Sequence, residues 1–108
     1  MESLSINDSW KLIYIAMTRS ALDKDFLRNL EYLKNLFRDI EALKLCLAGK
    51  EELNMAKELA ALGLYRAEEI ADLQAQKIFT KAIYQLSSPT EPQYRIAKTR
   101  LSLLTYMI

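Results

Sequence analysis

Apolar positions along the chain recur at spacings of three and four almost without interruption, and the pattern resolves into five helical stretches. The first begins near Asn7 or Asp8, both good N-caps, and runs to about Ser20. Trp10, Ile13, Met17 and Ala21 follow helical spacing, while Leu12, Tyr14, Ile15 and Ala16 fill the other sides. A helix apolar over so much of its circumference is expected at the centre of a core or beneath a partner. The second spans Asp25 to Leu47. Phe26, Leu30, Leu33, Phe37, Ile40 and Leu47 are spaced 4, 3, 4, 3 and 7, the stripe of a bundle or coiled coil. Lys44 interrupts this stripe, and Leu36, Leu43 and Cys46 widen it. Read as one rod, the helix is about 34 Å long. Between Thr18 and Lys24 there is no Gly or Pro, and only Ser20, Asp23 and Asp25 mark a turn.

Gly49 reads as a helix stop, because glycine enters the left-handed conformation without a side-chain penalty. A third helix is predicted from about Lys50 to Leu62, ended by Gly63 in the same way, and a fourth from about Tyr65 to Leu86. Glu68, Glu69 and Asp72 then lie near the N-terminal end of the fourth, where negative charge complements the dipole. Its stripe of Ala67, Ala71, Ala75, Ile78, Ala82 and Leu86 meets Ala56, Ala60 and Ala61 of the third. Small residues on both sides predict a tight antiparallel hairpin. Ser87 to Glu91 is the obvious loop; Thr90 and Gln93 form a capping-box pattern, and Pro92 is tolerated in a first helical turn. The last helix carries Tyr94, Ala97, Leu101, Leu104 and Ile108, and Leu103, Tyr106 and Met107 make its final turns apolar nearly all round.

The fold class that follows is all-α: a compact bundle of four to five mostly antiparallel helices, in one domain over residues 1–108. The long second and fourth helices are expected to run antiparallel with the others packed across them. The expected core centres on Trp10, Ile13, Leu30, Leu33, Phe37, Ile40, Leu59, Ile78, Leu86, Leu101 and Leu104.

Composition narrows the chemistry. The 108 residues include no His, two Gly, two Pro and one Cys, and 15 basic against 14 acidic residues leave a net charge of +1. No global field argues for nucleic acid or an acidic membrane. Cys46 alone allows no internal disulfide and fits a reducing, cytoplasmic setting. The longest apolar run, Leu12 to Met17, is six residues, against roughly twenty for a bilayer span, so no membrane association is expected. Glu2 and the lack of a basic-then-apolar start argue against a signal peptide.

Without His there is no Ser-His-Asp triad, no activated Cys46 and no Glu-x-x-His metal pair. Glu68 and Asp72 stand at i, i+4, the spacing of a shared ligand or acid/base pair, but beside Arg66 at a predicted helix start they read as a solvated face. Two isolated glycines make neither a phosphate loop nor a dinucleotide fingerprint. No cofactor, metal or catalytic residue is expected. The Leu-Gly-x-Tyr turn within Leu59 to Ala82 is similar to a tetratricopeptide hairpin. The following alanine falls one position early, no second copy follows at the period of that repeat, and the fourth helix is too long for it, so no family is assigned.

Two binding surfaces remain. The apolar excess of the first and last helices, together with six Tyr and one Trp, points to a non-enzymatic protein-interaction module, self-associating or bound to a protein partner. Its candidate contacts are Tyr14, Met17, Leu103, Tyr106 and Met107. The alternative is nucleic-acid binding. From Leu73 onward there are five basic residues against Glu91, a local charge of +4. Lys77, Lys81, Arg95 and Lys98 are the candidate phosphate contacts, with Tyr84 or Tyr94 near enough to stack on a base.

Overall fold

Among the described residues helical periodicity becomes five helices: α1 (Phe26–Arg38), α2 (Ile40–Cys46), α3 (Gly49–Glu69), α4 (Leu73–Leu86) and α5 (Pro92–Met107). The computed structural model describes residues 26–47 and 49–107. The expectations for the first predicted helix, with Trp10, Ile13, Tyr14 and Met17, and for Ile108 lie outside the described residues. Among those described there is no strand, and the radius of gyration of 13.4 Å is close to the ~13 Å of a folded chain of about 100 residues. The protein is an all-α bundle.

The predicted second helix is two helices. Asp39 leaves helical geometry at φ −104°, ψ 72°, and its carboxylate accepts a hydrogen bond from the Ala42 amide, capping α2. A short acidic side chain that satisfies orphan amides competes with helix continuation, and Glu41 in the next turn favours the new start. The apolar stripe nevertheless passes through the break: Leu30, Leu33, Phe37, Ile40 and Leu43 are all buried.

The third helix is longer than predicted and the fourth shorter, because Gly63 does not end anything. It lies in the middle of α3, buried, and a Cβ built there would come within 2.8 Å of the Phe79 ring. Glycine is used here for close approach rather than for a turn. The helix stops at Glu69 instead. Ala71 takes φ +56°, the Asp72 amide donates to the Ala67 carbonyl and the Ala71 amide donates to the Glu68 carbonyl. This is the Schellman arrangement with alanine in the position glycine prefers. Glu68 and Glu69 therefore sit at the unfavourable end of α3, where Arg66 pairs with Glu69 at 2.7 Å and Arg100 with Glu68 at 2.6 Å. Gly49, read as a stop, has φ +74° and opens α3.

The expected hairpin of the third and fourth helices forms between α3 and α4. Ala56, Ala60, Ala67, Ala75 and Ala82 are buried in it; Ala61 and Ala71 face solvent. Phe79 is fully buried at its centre, with Phe37 of α1 edge-on at 5.9 Å. Helix α4 packs against the other four, whereas among the described residues the backbone of α5 comes close to α4 alone. Lys34 sits by Asp72 and Phe37 by Phe79, so α1 runs in the same direction as α4, and the expected antiparallel pairing of the second and fourth helices is not what forms. Of the expected core, Leu30, Leu33, Phe37, Ile40, Leu59, Leu86 and Leu104 are buried, while Ile78 and Leu101 are half-buried.

Two ion pairs tie α3 to α5 and its approach: Lys57 to Glu91, the residue before α5, at 3.1 Å, and Glu68 to Arg100 of α5. Their order along both helices means that α3 and α5 point the same way on either side of a shared neighbour.

Candidate protein-docking surface

The exposed face of α5 is set by how α5 is clamped at its start. Pro92 occupies the first turn, and the Glu91 amide bonds to Ser88 while the Tyr94 amide bonds to Glu91. The helix therefore begins one residue later than a Thr90 cap requires, and the Thr90 hydroxyl pairs with that of Ser88 at 3.1 Å. Tyr94 then meets Tyr84 of α4 edge-on, with ring centres 4.7 Å apart, and its hydroxyl donates to the Tyr84 oxygen at 3.2 Å. That bond, with lesser help from desolvation and from Tyr84's charge, raises the Tyr94 pKa above the usual 10.0. Both rings are engaged with each other at the α4–α5 junction.

With Tyr94 fixed, Ala97, Leu101 and Leu104 follow on the face turned to α4. The opposite face carries Ile96, Leu103, Tyr106 and Met107, which are 66%, 60%, 92% and 62% exposed. Nearby hydroxyls do not make this face polar: Ser102 donates to the Lys98 carbonyl at 3.2 Å and Thr105 to the Leu101 carbonyl at 2.8 Å. Arg95, Ile96, Thr99, Arg100 and Leu103 line an open hollow of about 370 Å³. A second hollow of about 350 Å³, bordered by Pro89 to Pro92, shares Arg95 and Ile96 with the first. Together they make one shallow, open groove from the α4–α5 loop to the middle of α5.

Three of the five candidate protein contacts, Leu103, Tyr106 and Met107, are thus brought together on exposed surface, and Tyr14 and Met17 lie outside the described residues. Sequence reasoning overlooked Ile96. Its spacing of seven from Leu103 belongs to a second stripe that the inner series of Tyr94, Ala97, Leu101 and Leu104 conceals.

The basic candidates fall in two places. Lys77 and Lys81 line a hollow of about 200 Å³ with Phe37, Arg38 and Ile78, between α4 and α1. Arg95 lines the α5 groove, and Lys98 is exposed on α5. Arg38, missed in sequence, joins the first pair because α1 lies along α4.

The carboxylates considered for acid/base work do not share a helix face. Glu68 is on α3 with Arg100, whereas Asp72 caps α4 through the Ala75 amide at 3.0 Å and pairs with Lys34 at 3.4 Å. The Ala75 bond foremost, with Lys34's charge, holds the Asp72 pKa below the usual 3.8 despite burial opposing it. Cys46 is half-buried at the end of α2. Among the described residues no three metal-binding side chains cluster, and no helix is long and apolar enough to cross a membrane. Comparison with known protein families, with curated proteins and with solved structures finds no match to this chain.

Proposed function

We propose that the protein is a non-enzymatic helical module that binds protein through the outer face of α5. The observation that carries this reading is the concentration of Ile96, Leu103, Tyr106 and Met107 on one exposed helix face beside a groove. Contiguous apolar surface rimmed by polar residues is what docking sites present to a partner. Tyrosine gives rigid amphipathic contact there, and methionine adapts its shape. A lone, half-buried thiol suits work in a reducing compartment such as the cytoplasm.

A photo-activated crosslinking residue in place of Arg95, at the rim of the groove, tests the proposal in the full chain in its native cell. The expected result is a protein adduct that Leu103→Arg abolishes. Absence of any protein adduct from positions 95, 98 and 99 removes the reading.

One observation favours a second reading. Arg38, Lys77 and Lys81 line a single hollow with no acid in its wall, an arrangement suited to a phosphate backbone. Retention on heparin at low salt, lost in Lys77→Glu/Lys81→Glu, is its expected outcome. No retention eliminates it.

A further inference from the structure

The hollow between α1 and α4 gathers positive charge that nothing in its wall answers. Arg38 comes from α1, Lys77 and Lys81 from α4, and Phe37 and Ile78 complete the lining, in about 200 Å³. Lys77 and Lys81 stand at i, i+4, where like charges repel across one helical turn. The carboxylates of the same two helices and their junctions are engaged elsewhere. Asp39, next to Arg38 in the chain, caps α2 through the Ala42 amide. Asp72 caps α4 and shares Lys34 with Glu31. Helix α4 itself contains no acidic residue. Among the described residues, none of the three cations is in an ion pair. Arg38 donates from Nη1 to Asn35 Oδ1 at 3.3 Å, which occupies one arm of its fork.

The arrangement of the charge chooses the ligand. A nucleic-acid backbone carries one negative charge per phosphate, spread along the strand, and is met by cations in a row. Here the cations surround a single hollow instead. A phosphate monoester concentrates a charge of about −2 and three acceptor oxygens on one phosphorus. One guanidinium and two ammonium groups, brought from two helices, match three oxygens, whereas a carboxylate offers two in a plane. The volume equals that of six or seven waters at roughly 30 Å³ each, room for one such group.

We infer that the α1–α4 hollow binds a phosphate monoester dianion through Arg38, Lys77 and Lys81, an inference that rests on reading the hollow as a phosphate site and narrows its ligand from the backbone to a terminal group. Such binding carries a pH signature. Histidine is the side chain that ordinarily changes charge between about pH 5 and 8, and the chain has none. Among the described residues, no charged group of α2, α3 or α5 lines the hollow, and the neighbouring carboxyl of Asp72 is held below 3.8. A change of affinity across that range therefore reports the ligand, whose second ionisation lies at about pH 6.

The test titrates the full, isotope-labelled chain with methyl phosphate and with dimethyl phosphate, read through the amide resonances of Phe37, Arg38, Lys77, Ile78 and Lys81. At about pH 7.5 the monoester is expected to bind at least about 10-fold more tightly than the diester, and at about pH 5 to lose most of that advantage. Lys77→Gln/Lys81→Gln weakens monoester binding at least about 10-fold. It keeps the helical circular dichroism and, with a repulsion removed, does not lower the urea midpoint. Arg38→Gln, on the other wall, weakens the same ligand. Equal affinity for the two esters, or monoester binding unchanged in both variants, overturns the site. One oligonucleotide, with and without a 5′-phosphate, identifies the source. Preference for the phosphorylated strand and binding of methyl phosphate alone both support the site, the first naming a nucleic-acid end and the second a small ester. Equal binding of the two strands, with retention on heparin and no preference between the esters, leaves the backbone reading standing and overturns this one. No binding of any probe removes both.

Discussion

The two faces of the bundle edge solve opposite problems with similar residues. Between α3 and α4, Gly63 and five alanines let the helices approach until the Phe79 ring fills the space a Cβ would take. On the far side of α5, Ile96, Leu103, Tyr106 and Met107 are large, apolar and exposed. Apolar content alone does not separate these regions. Size does: small residues mark a contact already made, large ones on a helix surface a contact still open.

Substitutions should respond accordingly. Phe79→Ala removes the centre of the covered face and is expected to cost about 3–5 kcal/mol, read as a lowered urea midpoint. Gly63→Ala is the sharper case. In an exposed helix interior it stabilises by about 1 kcal/mol, but here the new methyl falls within 2.8 Å of the fully buried Phe79 ring. A net loss of about 1–3 kcal/mol is expected, and a gain would show that the two helices are not in tight contact. Asp72→Ala removes the cap of α4 at the same hairpin, and about 1 kcal/mol is the expected loss. Because the folded pKa of Asp72 lies below 3.8, its contribution is present above that value and fades as pH falls through the folded pKa. Wild type and Asp72→Ala should therefore converge in stability in strong acid. Ala71→Gly relieves a left-handed alanine and should stabilise by about 1 kcal/mol. On the open face, Ile96→Ser and Leu103→Ser should each move stability by no more than about 0.5 kcal/mol. A larger loss would mean that this face is covered within the chain.

How far the sequence carried the fold depends on what each signal measures. Periodicity reports which residues turn inward, and it identified Leu30, Leu33, Phe37, Ile40, Leu59, Leu86 and Leu104. It does not report where a rod breaks, since the stripe from Phe37 to Leu43 crosses Asp39 in phase. Glycine was misread because its two uses look alike in sequence. Gly63 serves close packing, and the real corner is at Ala71, a residue with no turn preference. The error shifted Glu68 and Glu69 from the end of one helix to the start of the next. Leu103, Tyr106 and Met107 were legible because they exceed what one inner stripe needs. Arg38 was not, because its place beside Lys77 and Lys81 depends on the direction of α1 along α4.

The half-buried thiol of Cys46 has a practical consequence. It is the sole sulfhydryl in the chain, and it sits on α2, which packs against α1 and α4 and makes no contact with α5. A molecule immobilised through that one sulfur presents the groove to the surrounding solution in a uniform orientation. Arrival and departure of a partner then become readable on a sensor surface without altering any residue of the face being probed.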